Sequence, residues 1–130
     1  MPELKMRIMV VDDEENTRLA LTRLLAREGY EVITATNGKD ALNQIRTTAV
    51  ELIITDLNMP VMNGLSFLRE LNREHPSSHV IMLTAYGEVE SYLEALDLGA
   101  FEYLNKPIKL EELLNVIAKL YKTGREETLI

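Results

Sequence analysis

The sequence predicts an α/β fold built on a doubly wound parallel sheet, and three observations lead to it. Short apolar runs rich in branched residues alternate with longer stretches whose apolar residues recur at helical spacing. The first, third and fourth runs are almost continuously apolar, as suits central parallel strands covered on both faces. Five strands alternating with five helices then require right-handed crossovers, with helices on both faces of the sheet.

In chain order, the first strand is Arg7-Ile8-Met9-Val10-Val11, and the helix after it places Leu21, Leu24, Leu25 and Glu28 on one face, with Gly29 as its C-terminal stop. Glu31-Val32-Ile33-Thr34-Ala35 is the second strand, followed by a helix over Lys39–Thr47. Leu52-Ile53-Ile54-Thr55 is the third, followed by a turn-rich loop with Pro60 and Asn63-Gly64 and by a helix over Asn63–Arg73. Val80-Ile81-Met82-Leu83 is the fourth, and Val89, Leu93 and Leu96 mark a fourth helix closed by Gly99. Ala100-Phe101-Glu102-Tyr103-Leu104 is the fifth strand. Leu110, Leu113, Leu114, Ile117, Leu120 and Tyr121 form the apolar stripe of the last helix. Residues 1–122 make one domain, and 123–130 lack periodicity and read as a frayed tail or the start of a linker.

The composition fits this and excludes several classes of function. The 130 residues carry 14 Lys+Arg against 21 Asp+Glu, a net charge of −7, which disfavours a chain devoted to gripping nucleic acid or an anionic membrane. With no cysteine there is no disulfide framework, thiolate metal site or cysteine nucleophile. No stretch approaches the roughly 20 apolar residues of a membrane span, and Met1-Pro2-Glu3-Leu4-Lys5 has no signal-peptide apolar core. His75 and His79, around Pro76-Ser77-Ser78, read as solvated loop residues rather than phosphodonors or metal ligands.

Periodicity does not fix the strand order. The order 2-1-3-4-5 is one common solution, and it sets the C-terminal ends of the first and third strands side by side, where such sheets bind ligands. Strand one ends in Asp12-Asp13-Glu14-Glu15, strand three in Asp56, strand four in Thr84 and strand five in Asn105-Lys106-Pro107. Taken singly, an Asp at a strand end is ordinarily a cap or turn residue, and Lys106 a solvated lysine before a helix. Taken together they are a compatible set. Crowded carboxylates repel, and a hard cation with oxygen ligands relieves the repulsion. Magnesium takes only one or two carboxylates and leaves room for a phosphate oxygen. A carboxylate can attack phosphorus to form an acyl phosphate, and a metal, a lysine and a hydroxyl would neutralise the charge on the transferring group.

On these residues the chain resembles the receiver domain of two-component response regulators, from about Arg7 to about Lys122. The matching segments are Val10-Val11-Asp12-Asp13-Glu14, Thr55-Asp56-Leu57-Asn58-Met59-Pro60, Asn63-Gly64, Leu83-Thr84-Ala85 and Gly99-Ala100-Phe101-Glu102-Tyr103-Leu104-Asn105-Lys106-Pro107. Leu83-Thr84-Ala85-Tyr86-Gly87 is most similar to receivers of the nitrogen-regulation type. The resemblance implies that Asp56 is the phosphoacceptor, served by a sensor histidine kinase or phosphotransfer protein. It implies Mg2+ held by Asp13, Asp56 and the backbone carbonyl of Asn58, with Asp12 acting through a water. It implies that Thr84, Ala85 and Lys106 bind the phosphoryl group, that Tyr103 is an aromatic switch, and that the Lys106–Pro107 bond is cis. The face of the fourth helix, fifth strand and fifth helix would meet an output domain or a downstream protein, or pair in a phosphorylation-dependent homodimer. Neither direct nucleic acid contact nor membrane contact is implied, and the location is cytoplasmic. Tyr92 would sit on that output face, and Tyr86 would shield the phosphoryl group from water.

Two enzyme readings fail on particular residues. Phosphatases of the haloacid-dehalogenase kind need an acid two residues after the nucleophile, where this chain has Asn58. A nucleotide switch needs a Gly-rich loop ending in Lys-Ser/Thr, which Asn37-Gly38-Lys39-Asp40 is not. The chain therefore reads as a switch that assists its own modification, not as a dedicated enzyme. The remaining alternative is a receiver-like scaffold that acts by protein binding alone.

Overall fold

A computed structural model describes residues 6–57, 59, 61–74, 77–84, 94, 96–100 and 102–129, with 121–129 described by backbone alone. Its strands are β1 (Arg7–Val11), β2 (Glu31–Ala35), β3 (Leu52–Asp56), β4 (His79–Thr84) and β5 (Glu102–Asn105). Its helices are α1 (Glu15–Arg27), α2 (Gly38–Ile45), α3 (Gly64–Glu74) and α4 (Leu110–Leu129). The strands pair in parallel in one five-stranded sheet of order β2-β1-β3-β4-β5. Most of the helix expected over Val89–Leu96 lies outside the described residues. Glu94, Leu96 and Asp97 are helical, and the Leu98 amide donates to the Glu94 carbonyl.

Side chains alternate along each strand, so each of the central strands feeds both faces of the sheet. Met9, Val11 and Ile53 pack with Leu42, Phe67, Leu68 and Leu71 on the α2–α3 side. Ile8, Val10, Leu52 and Ile54 pack with Leu21, Leu25, Leu113 and Ile117 on the α1–α4 side. This accounts for the unbroken apolar runs of β1, β3 and β4: neither face is left to water. The edge strands β2 and β5 are only partly buried.

Local chemistry sets the boundaries. Glu28 caps α1, and Gly29 at φ 93° turns the chain out in the left-handed region that glycine alone enters freely. Glu28 itself is exposed rather than on the buried face, because the helix ends one residue before it. The Asn37 carboxamide caps α2 by accepting from the Asp40 amide at 2.8 Å, and Asn63 does the same for α3 through the Ser66 amide at 2.9 Å.

Four expectations need correction. His79 begins β4 instead of lying in a loop, with its amide on the Glu51 carbonyl at 3.0 Å, although it is exposed as expected; His75 lies outside the described residues. The fifth strand starts at Glu102 rather than Ala100, because the turn at Gly99 (φ 95°) leads into it, and it extends to Asn105 by pairing with Thr84. Leu110 opens α4 exposed, while the unforeseen Val116 is buried. Residues 123–129 are helical rather than frayed: Arg125, Glu126 and Glu127 are good helix formers, and extending a helix costs much less than starting one.

Gly64 joins this framework to the end of β3. Its amide donates to the Leu57 carbonyl at 2.7 Å. A Cβ there would lie 2.7 Å from the Asp56 carbonyl oxygen, 2.8 Å from the Leu57 Cα and 2.9 Å from the Met82 Sδ. Backbone cannot swing aside as a flexible side chain can. Gly64→Ala should therefore lower unfolding free energy by about 1–3 kcal/mol, measured by urea denaturation, despite alanine's better helix propensity.

Candidate functional site

Parallel strands deliver all their C-terminal ends to one edge, and the register decides which residues meet there. Val11 pairs with Thr55, so the next residues, Asp12 and Asp56, are neighbours at the ends of β1 and β3. Asp56 pairs with Leu83, and Thr84 pairs with Asn105, which brings Thr84 and Lys106 to the same rim. The Lys106 amide donates to the Thr84 carbonyl at 2.7 Å, and the Lys106–Pro107 peptide bond is cis.

One carboxylate oxygen each from Asp12, Asp13 and Asp56 lies within 4.8 Å of the others. Asp12 is 1% exposed and Asp56 6%, whereas Asp13 is open to solvent. The Lys106 Nζ lies between the two buried acids, 3.4 Å from an Asp12 oxygen and 3.3 Å from one of Asp56. At an effective dielectric near 20, each of these contacts contributes roughly 5 kcal/mol of gross attraction, and carboxylate oxygens within 4.8 Å of one another repel by roughly 3 kcal/mol or more. One ammonium therefore offsets the mutual repulsion of Asp12 and Asp56. It leaves the charge of Asp13 without an ion pair among the described residues. A small divalent cation with oxygen preference fits that deficit, since carboxylates and an open water-facing side are what magnesium accepts.

Further contacts hold the carboxylates in place. Asp12 accepts from the Glu14 amide at 2.9 Å through its side chain, and its carbonyl accepts from the Arg18 guanidinium at 2.7 Å. The buried Thr55 hydroxyl donates to the Asp56 carbonyl at 3.1 Å. Val61, in the loop after β3, has φ 71°, a left-handed geometry unfavourable to a β-branched side chain, and at 76% exposure no burial offsets the strain.

The structure thus brings together Asp12, Asp13, Asp56, Thr84 and Lys106. Tyr103 is buried among the residues on the α2–α3 side of the sheet, two residues before Asn105 on its own strand and paired with Met82, which is two residues before Thr84. Asn58, Ala85, Tyr86, Tyr92 and Pro60 lie outside the described residues. Arg18 and Gly64 were not foreseen as site residues. No motif marks an arginine six positions past Asp12, and Asn63-Gly64 reads as a turn until the neighbouring strand end is in view.

This edge sets a group of three acids and a lysine at the C-terminal ends of the strands of a five-stranded parallel α/β sheet of order β2-β1-β3-β4-β5. The chain belongs to the response regulator receiver domain family, whose model matches residues 8–118. It is 39% identical over 113 residues to the regulatory protein AtoC of Escherichia coli K12, a match covering 87% of this chain and 24% of that protein. To the DNA-binding transcriptional regulator NtrC of the same strain it is 31% identical over 120 residues, 92% of this chain and 26% of NtrC. The chain spans about a quarter of the length of these curated relatives. Among solved structures, it matches a CheY-like response regulator receiver domain protein from Methanospirillum hungatei JF-1 with TM-score 0.90 and 29% identity, covering 95% of this chain and 99% of that one. The receiver domain of NtrX from Brucella abortus matches with TM-score 0.84 and 32% identity, covering 89% and 98%. The fold, the two-component family and its nitrogen-regulation relatives thus agree with the sequence reading.

Burial pulls the Lys106 ammonium towards losing its proton, but the Asp12 and Asp56 carboxylates outweigh it and hold its pKa above the ordinary 10.5. A raised folded-state pKa stabilises the fold fully below 10.5, and that contribution disappears as pH rises through the folded value. The stability gap between wild type and Lys106→Met, measured by chemical unfolding, should accordingly be constant around neutral pH and shrink only above 10.5.

Proposed function

We propose that this domain is the phosphoacceptor switch of a two-component pathway and that Asp56 is its phosphoacceptor. The observation that carries the reading is the Asp56 carboxylate at the end of β3, buried to 6% exposure, 3.3 Å from Lys106 and grouped with Asp12 and Asp13. An Asp56 oxygen attacks the phosphorus of a phosphohistidine on a sensor histidine kinase or phosphotransfer protein. The P–N bond breaks, the imidazole leaves with the electron pair and takes a proton, and an acyl phosphate remains on Asp56.

Asp13, Asp56 and the Asn58 carbonyl would hold Mg2+, with Asp12 acting through water, and the ion would supply positive charge to the transferring group. Lys106 then exchanges part of its pairing with Asp56 for a phosphoryl oxygen, and Thr84 and the Ala85 amide donate to the others. The added charge and acceptor oxygens bias a two-state rim, and Tyr103 follows Thr84. The surface made by the segment ending at Asp97, by β5 and by α4 carries the change to an output domain, a downstream protein or a second copy of this chain. A cytoplasmic location accompanies the reading, and no helix among the described residues is long and apolar enough to cross a membrane. Residues 1–122 form the receiver, and 123–130 are a tail or lead towards an output domain. The domain assists its own phosphorylation and dephosphorylation and is not otherwise an enzyme.

With magnesium and acetyl phosphate, intact-mass spectrometry should show one added phosphoryl group on wild type and none on Asp56→Asn. Beryllium fluoride should bind wild type but not the variant. A mass gain that survives Asp56→Asn would remove Asp56 from this role.

A further inference from the structure

The geometry points to Arg18 as a positioning residue that aims Asp13 at the metal site by fixing the peptide between Asp12 and Asp13. The inference rests on the magnesium-dependent reading above and assigns a role that neither the motif nor the family match contains.

Asp12 is held on every side but one. Its amide donates to the Ala35 carbonyl at 3.2 Å, which ties the end of β1 to β2. One carboxylate oxygen accepts from the Glu14 amide at 2.9 Å and the other faces Lys106 at 3.4 Å. These contacts fix the Asp12 side chain and its incoming backbone. The Glu14 contact spans the Asp12–Asp13 peptide but does not itself hold that peptide's carbonyl oxygen, and the plane helps to set where Asp13 points, because carbonyl, amide and the next Cα form one rigid unit.

Arg18 supplies the missing restraint. It lies one turn into α1, half-buried, and its guanidinium donates to the Asp12 carbonyl at 2.7 Å. Among the described residues Arg18 forms no ion pair, although Asp13, Glu14 and Glu15 crowd the same turn. A cation in that company bonded to a main-chain oxygen acts on the backbone. The contact matters most for Asp13. That residue is exposed, so no burial orients it, yet its oxygen lies within 4.8 Å of those of Asp12 and Asp56.

Two effects of removing the guanidinium oppose each other. Loss of positive charge near a cation site tightens metal binding; loss of positioning weakens it. The guanidinium points at the carbonyl rather than at a carboxylate, so the positioning effect dominates. The comparison is therefore decided by sign.

Calorimetric titration of the whole chain with MgCl2, with no phosphodonor present, tests this. Arg18→Met should raise the magnesium Kd about threefold to tenfold, and Arg18→Lys, which keeps one donor on a shorter reach, should fall between. In an Asp13→Ala background, Arg18→Met should change the Kd by less than about twofold, because its target ligand is gone. With acetyl phosphate, the half-saturating magnesium concentration should rise while the rate at saturating magnesium stays near wild type, a split that general loosening of the fold does not produce. Unchanged or tighter binding in both Arg18→Met and Arg18→Lys overturns the inference, as does an equal loss with Asp13 absent. If Arg18→Met loses its cooperative thermal transition, Arg18→Lys and its Asp13→Ala partner decide alone. A wild type that takes up no magnesium overturns the metal reading itself and this inference with it.

Discussion

The placement of one ammonium between two buried carboxylates is the constraint on which the rest of this structure depends. Asp12 and Asp56 are forced together by topology: β1 and β3 are adjacent and parallel, so their polar ends have nowhere else to go. Left alone, the pair would be among the most expensive features of the fold, since burying like charges costs several kcal/mol each. Lys106 reaches them from β5, the far strand of the sheet, and so joins the ends of three strands electrostatically. The surrounding contacts are those needed to keep that arrangement fixed. Glu14 and Arg18 hold Asp12, Thr55 holds the Asp56 carbonyl, and Gly64 lets α3 start directly against the Asp56 backbone.

Lys106 is also where charge is coupled to backbone. Its amide is bonded to the Thr84 carbonyl, and the pairing of β4 with β5 continues from Thr84 back through Leu83 and Met82 to Tyr103. A change of charge at Asp56 is therefore felt first by a side chain whose own main chain is fastened to β4. Because β4 is buried on both faces and β5 is a short edge strand, the yielding element is the edge. If Asp56 is phosphorylated as proposed, the effect of the added charge would move outwards to β5 and α4 more readily than into the core, whose close packing resists small displacements.

Much of this was legible in the residues because the chemistry is carried by the strand ends, which the hydrophobic runs locate. An apolar run must stop where its side chains leave the core, so Asp12, Asp56, Thr84 and Lys106 mark the rim as well as the site. Most of what was not legible depends on contacts with residues that are not sequence neighbours. Gly64 looks like half of a turn dipeptide until the Asp56 carbonyl and Met82 are seen against it. Arg18 looks like any arginine on a solvated helix. The length of β5 is set by its partner Thr84, not by its own composition, and α4 continues past its apolar stripe because extending a helix costs less than starting one.

The net charge of −7 acquires a local meaning from this geometry. Three of the 21 acidic residues converge on one rim, and among the described residues a single lysine is ion-paired to this cluster, so these four groups together carry 3 − 1 = 2 negative charges. That is the charge of one divalent cation. With a second cationic side chain on the carboxylates the cluster would be nearly neutral, with little electrostatic drive to bind a metal. With none, the buried pair would have no internal counter-charge, and the fold itself would carry the cost. Arg18 resolves the same conflict differently: its guanidinium is bonded to a carbonyl, so it orders the acidic turn while leaving the carboxylate oxygens available. The domain is thereby stable enough to fold around its acids and still short of positive charge where a metal and a phosphoryl group would supply and use it.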